Sequence, residues 1–159
     1  MIIRKSVLPM VLMIALLTTS TAAAETGLFA GVNFPTGNFD NGAKTGWNAG
    51  GYYTLELMPI VDIGLTVAYS DFGSESSNNS LNVWEFEGLG QLKILFLKGY
   101  LGLGVANYNS LFDGRKTKLA WQIGVAAQIA ILEGRLGYHQ IPVDGGSINW
   151  LSLTAGLAF

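Results

Sequence analysis

From Gly27 to Phe159 the apolar residues recur at every second position, the period of a strand with two unlike faces, and no long stretch follows the 3.6-residue period of a helix. The alternation predicts eight strands: Thr26 to Phe34, Gly46 to Leu57, Ile60 to Ser70, Leu81 to Ile94, Gly99 to Tyr108, Thr117 to Ile129, Arg135 to Ile141 and Ile148 to Phe159. Most are about as long as a tilted strand needs to cross a bilayer, ~9–11 residues. The connections alternate in length. Met58-Pro59, Leu95 to Lys98 and Ala130 to Gly134 are short, whereas Pro35 to Thr45, Asp71 to Ser80, Asn109 to Lys116 and Pro142 to Ser147 are longer and polar. Tight turns at one end and longer loops at the other are the asymmetry of transmembrane barrels, and an even strand count returns both termini to the tight-turn end.

Alternation alone does not say which face is inside. One face carries Trp47, Tyr53, Leu55 and Leu57 on the second strand, Val61 to Tyr69 at odd positions on the third, and Leu119 to Ile129 at odd positions on the sixth. The opposite face carries Asn48, Gly50, Tyr52, Thr54 and Glu56, then Asp62, Thr66 and Ser70, then Lys118, Gln122 and Gln128 among Gly and Ala. A water-facing exterior would be rich in Lys and Glu. Small residues punctuated by single charges suit a narrow lumen instead, and the aromatics near the strand ends of the apolar face suit a membrane interface. The fourth and fifth strands are the weakest part of this assignment. Leu89, Gln91 and Lys93 share a face, Leu95-Phe96-Leu97 is an unusually apolar turn, and a slip of one residue there would exchange inside for outside.

Composition agrees with a surface that water does not cover: 13% of residues are charged and 50% hydrophobic, against about 25% charged in ordinary soluble domains. Met1 to Ala24 has the layout of a signal peptide: Arg4 and Lys5, an apolar run from Val7 to Leu17, and Ala22-Ala23-Ala24 as an Ala-x-Ala cleavage site. The apolar run falls short of the roughly 20 residues of a membrane-spanning helix and contains Pro9. The expected organisation is a leader over residues 1–24 and one barrel domain over residues 25–159. Taking Arg4 and Lys5 from the nine basic residues leaves seven against 11 acidic ones, which argues against a nucleic-acid partner. There is no cysteine, so disulfides, thiolate metal sites and a lipoprotein leader are excluded. The fold class predicted is all-β: an eight-stranded antiparallel up-and-down transmembrane β-barrel behind a cleaved signal peptide.

In the last strand Leu151, Leu153, Ala155, Leu157 and Phe159 alternate outward, and Phe159 is the final residue. On this pattern the chain resembles the bacterial outer-membrane protein β-barrel domain family, and in architecture its small OmpA- and OmpX-like eight-stranded members. Gly31 to Phe39 is similar to the opening hairpin common in that family. The resemblance covers Glu25 to Phe159. It implies an outer-membrane location, recognition of the terminal strand by the barrel-assembly machinery, contact with outer-membrane lipid and lipopolysaccharide, and a monomeric state.

The interior of an eight-stranded barrel is filled by side chains. The candidates are Glu56, Asp62, Glu85, Glu87, Gln91, Lys93, Lys118, Gln122, Gln128, Arg135 and His139. Buried charges must pair, so these residues are expected to form a salt-bridge and amide network that plugs the lumen. A structural or surface-exposed role follows, with no cofactor, no metal and no catalytic residue. Two other readings compete. A continuous cavity would make the barrel a narrow pore or a transporter for small or hydrophobic molecules. Alternatively, the single histidine, His139, would serve a lipid-modifying enzyme, which needs a serine and an acid within about 3 Å. The lipid A deacylases, which belong to such barrels, place a serine beside their histidine where this chain has Gln140; Ser70 or Ser152 would have to approach through the fold. Gly102-Leu103-Gly104 precedes no helix and is no phosphate loop. Asn41-Gly42, Asp113-Gly114 and Asp144-Gly145 read as turns. Asp40, Asp71, Glu75, Asp113 and Asp144 are expected as solvated loop charge.

Overall fold

The computed structural model describes residues 23–37, 39, 42–74, 80–110 and 114–159. It is a closed barrel of eight antiparallel strands, each paired with its neighbours in sequence and the last paired with the first. The strands are β1 (Ala24–Thr36), β2 (Ala43–Met58), β3 (Val61–Ser74), β4 (Leu81–Ile94), β5 (Leu97–Ser110), β6 (Gly114–Ile129), β7 (Leu132–Val143) and β8 (Gly146–Ala158). Closure is completed at the last residue. Thr26 N–H donates to Phe159 O at 2.7 Å and Phe159 N–H donates to Thr26 O at 2.8 Å. No sheet edge is left open among the paired strands, which removes the hazard of an unpaired edge.

Inward and outward positions follow the sequence parity, including on β4 and β5, where Leu89, Gln91 and Lys98 face inward. Outward stand Leu65, Leu103, Leu119, Ile123 and Leu153, all exposed. Small residues line the inside because the wall is crowded. A Cβ at Gly102 would lie 2.4 Å from Glu87 Oε2 and 2.7 Å from Gln122 Cγ.

The strand ends differ from expectation. At the end that holds Ala24 and Phe159, the turn end, the connections are two-residue turns: Pro59-Ile60, Leu95-Phe96 and Ala130-Ile131. The first tip residues of the latter two turns are left-handed, with φ 55 at Leu95 and 54 at Ala130. Such positions are normally marked by Gly or Asn, and with neither present the turns read as longer than they are. Lys98 and Glu133 therefore belong to strands and not to turns. At the opposite, loop end the strands run further than predicted, taking in Lys44, Asp71, Phe72, Asn109, Arg115, Lys116 and Val143. The contrast reverses there, since outward positions such as Asp71, Asn109 and Arg115 turn polar while inward Ala43, Phe72 and Ile141 are apolar, but ladder hydrogen bonds do not depend on contrast. The turn at Asp144-Gly145 is present, with Gly145 at φ 88. Asp40, Asn41, Glu75, Asp113 and the leader up to Ala22 lie outside the described residues.

Candidate functional site in the barrel lumen

The lumen is filled in layers, and each layer is set by which inward positions the register brings to one height. Nearest the loop end is an apolar plug. Phe72, Val83, Ile141 and Trp150 are fully buried there, with the Phe72 and Trp150 rings edge to face at 5.3 Å and Phe39 against Phe72 at 5.2 Å. Beside it, Asn33 Nδ2 donates to Ser70 Oγ at 2.9 Å and Asn48 Nδ2 donates to Asn33 Oδ1 at 2.6 Å.

Below the plug His139 joins three strands. Its ring stacks on Trp150 at 4.9 Å, its Nδ1 lies 3.1 Å from Glu85 Oε1 on β4, and its Nε2 lies 2.9 Å from Ser152 Oγ on β8. Acid, imidazole and hydroxyl in this order are the arrangement of a nucleophile, its base and an orienting carboxylate. Glu85, His139 and Ser152 are all buried, and the cavity beside them measures about 10 Å³, enough for no more than about one water. A Cβ at Gly137 would lie 2.9 Å from Ser152 Oγ, so the space around the hydroxyl is also taken up by wall.

The next layer holds Glu87, which accepts a hydrogen bond from Gln122 Nε2, and the guanidinium of Arg135 inside an aromatic collar. The guanidinium carbon lies 5.0, 4.7 and 4.3 Å from the ring centres of Phe29, Tyr52 and Tyr100. This is cation–π geometry on three sides. Toward the turn end, Lys98 Nζ lies 2.5 Å from Glu25 Oε1 and 2.8 Å from Glu133 Oε2, and the Tyr52 hydroxyl is 2.9 Å from each of the same two oxygens. Arg135 Nε stands 3.6 Å from Glu133 Oε1. The last layer is the mouth, where Lys93 Nζ meets Asp62 Oδ2 at 2.9 Å.

Of the residues singled out from sequence, Asp62, Glu85, Glu87, Gln91, Gln122, Arg135 and His139 are buried in the lumen and Lys93 is half-buried at the mouth. Three are not interior. Glu56 is exposed beside the register shift that ends β2; Gln128 sits at the mouth with its amide donating to Ala130 O at 3.0 Å; Lys118 is at the loop rim, 3.2 Å from Asp144 Oδ1. All three point inward, but parity fixes the face of a strand residue and not its depth. Sequence reasoning missed Lys98, Glu133 and Glu25, which carry the buried ion-pair layer, and the collar around Arg135. Leu151, Leu153, Leu157 and Phe159 are exposed on the outer face of the closing strand. No group of three His, Asp or Glu side chains among the described residues is arranged to hold a metal ion.

No family model matches the sequence and no curated protein matches it. Solved structures do match the fold. The attachment invasion locus protein Ail of Yersinia pestis superposes with a TM-score of 0.57 at 19% identity, covering 86% of this chain and 99% of that one. Neisserial surface protein A gives 0.53 at 14% identity over 85% and 95% of the two chains. The N-terminal β-barrel domain of Pseudomonas aeruginosa OprF gives 0.53 at 16%, over 85% and 97%. With identities this low the likeness is one of fold, and it extends over the whole of each barrel. The chain has the fold of the small eight-stranded outer-membrane barrels.

Proposed function

We propose that this chain is an integral protein of the bacterial outer membrane, a monomeric structural or surface-exposed barrel whose leader is removed after Ala24 and whose lumen is sealed by its own side chains. The observation that carries this reading is the inversion of the barrel: exposed Leu, Ile, Val and aromatic residues encircle the outside, while Glu85, Glu87, Lys98, Glu133, Arg135 and His139 are buried within. In water both surfaces would be unfavourable. In hydrocarbon the outside is solvated by lipid and the inside pairs with itself. Lipid and lipopolysaccharide are then its surroundings, and Leu151 to Phe159 the segment presented to the barrel-assembly machinery. The test is heat-modifiability of the protein in outer-membrane fractions. A heat-dependent mobility shift, weakened by deleting Phe159, is the expected result; recovery in the soluble periplasm without a shift would sink the reading.

The enzymatic reading has one observation in its favour, the Glu85, His139 and Ser152 constellation. The 10 Å³ cavity beside it leaves no room for an acyl group, so the constellation serves as an internal clamp across β4, β7 and β8. A fluorophosphonate probe should leave Ser152 unlabelled in the folded protein, and labelling that depends on His139 would reverse this assignment. The pore reading is opposed by the Phe72, Val83, Ile141 and Trp150 plug and by the Arg135 collar, which stand one above the other in the same lumen.

A further inference from the structure

The turn end is apolar to its tips. Met58, Ile60, Leu95, Phe96, Ile129 and Ile131 all stand exposed, Leu95 to 94%. On β4 the outward apolar positions run from Trp84 to Ile94. At about 3.3 Å per residue and a tilt near 45° that is about 23 Å, close to the ~25 Å apolar band of such barrels. The band reaches its full height only if the turns belong to it. In the outer-membrane reading, on which this inference rests, the lumen therefore opens among lipid headgroups and not into free periplasm.

The mouth that opens there is a cavity of about 220 Å³ lined by Glu25, Glu56, Asp62, Lys93 and Gln128, with Ala23, Ala24 and Phe159 at its edge. It is an open recess with room for far more than one water, unlike the space beside His139. Its charges are unlike and separable. Glu25 is committed to Lys98. Asp62, only 1% exposed, has Oδ2 2.9 Å from Lys93 Nζ, yet neither of its carboxylate oxygens has a hydrogen-bond partner. Glu56 is exposed beside it, and Gln128, whose amide group donates to Ala130 O, keeps its Oε1 as an acceptor. A buried carboxylate oxygen without a partner is costly, and a donor that arrives with its own compensating anion would satisfy it without adding net charge.

We propose that the mouth binds the headgroup of one membrane lipid carrying a phosphate and a primary ammonium. The ammonium donates to Asp62 Oδ1, Glu56 and Gln128; the phosphate lies toward Lys93; the acyl chains pass over the apolar turns into the bilayer. Removal of the leader takes Ala23 and Ala24 from one wall, widens the approach and leaves the α-ammonium of Glu25 at that edge, a second cation for the phosphate.

The test is native mass spectrometry of the protein isolated from outer membranes and placed in nanodiscs of equal parts phosphatidylethanolamine and phosphatidylcholine with identical chains. These lipids differ only at nitrogen, where three N–H donors are replaced by three methyl groups. One retained phosphatidylethanolamine should exceed phosphatidylcholine about tenfold, the factor that 1.4 kcal/mol represents, and Asp62→Asn should bring the ratio near one while heat-modifiability persists. Equal retention by the unaltered protein overturns the proposal, as does full selectivity in Asp62→Asn. Should that variant not fold, a series of mono-, di- and trimethylated headgroups on the unaltered protein decides: selectivity falling with each methyl supports the site, and a flat series overturns it. A protein that never enters the nanodisc overturns the membrane reading too, whereas insertion without selectivity overturns this inference alone.

Discussion

Lys98 is the residue whose removal should cost the barrel most through charge alone. Its ammonium sits between Glu25 and Glu133 at 2.5 and 2.8 Å, with side-chain exposures of 5% for Lys98, 3% for Glu133 and 19% for Glu25. Replacing Lys98 by Met keeps the length and apolar stem of the side chain but leaves two carboxylates facing one another and the Tyr52 hydroxyl. Breaking a buried ion pair from one side costs about 3–5 kcal/mol, because the partner charge stays behind without compensation. Glu25 reaches water and can relax toward the mouth, so the lower end, ~3 kcal/mol, is the expectation. Urea unfolding in lipid vesicles, followed by tryptophan fluorescence, measures it. If the cost comes from the stranded charge and not from lost packing, adding Glu133→Gln to Lys98→Met should restore at least about 1.5 kcal/mol, within the range of direct couplings between contacting residues. A single-variant loss under ~1 kcal/mol, the value of an exposed pair, would refute the claim that this layer is buried and coupled. So would a double variant whose loss equals the sum of the two singles.

Gly102→Ala should destabilise by about 1–3 kcal/mol, since its Cβ would overlap Glu87 and Gln122. Gly99→Ala, outward with nothing within 4 Å of the added Cβ, should be neutral or stabilising by about 0.4–1 kcal/mol; the same unfolding assay separates them, and equal losses would contradict the assignment of faces. Trp150→Ala should cost about 3–5 kcal/mol as a buried aromatic truncation, yet planar-bilayer recordings should stay silent because the Arg135 collar remains closed. Only Trp150→Ala combined with Arg135→Ala should conduct, and channels in Trp150→Ala alone would show that the collar is no barrier. Ser152→Ala should lose about 1–3 kcal/mol by stranding His139 Nε2, read in the same unfolding assay, and a cost near zero would remove the clamp role assigned to this trio.

The architecture was legible because three independent patterns in the chain agree. Alternation set the number and faces of the strands; the small polar contents of one face, with Gly50, Thr66 and Ala126 among them, chose the inside; the run from Leu151 to Phe159 marked the closing strand. What was not legible were the ends. At Leu95 and Ala130 the chain turns through a left-handed residue without glycine or asparagine to announce it, so alternation starts two strands too late and places Lys98 and Glu133 in turns. At the loop end, Lys44, Asp71 and Arg115 continue the ladder where the outer face turns polar and the inner face apolar, which reverses the contrast that marks the rest of each strand.

The same reasoning explains why the lumen was readable as a set and unreadable as an arrangement. Parity assigns Asp62, Glu85, Gln122, Arg135 and His139 to one side of the wall, but contacts across a lumen depend on the stagger accumulated around the barrel. His139 and Ser152 lie on neighbouring strands, where the register pairs His139 with Trp150 and Gly137 with Ser152; their meeting is a diagonal contact of one hairpin. Glu85 reaches His139 from β4, three strands away along the wall, and becomes its neighbour only when the sheet is closed. Ser70, the other serine that could have approached, is held by Asn33 instead. The histidine's partners therefore come from barrel closure, and a constellation with the order of a catalytic relay arises in a lumen that closure has also filled. Distance between three side chains is evidence for chemistry only when a substrate has somewhere to stand, and here the wall, the plug and the collar occupy that place.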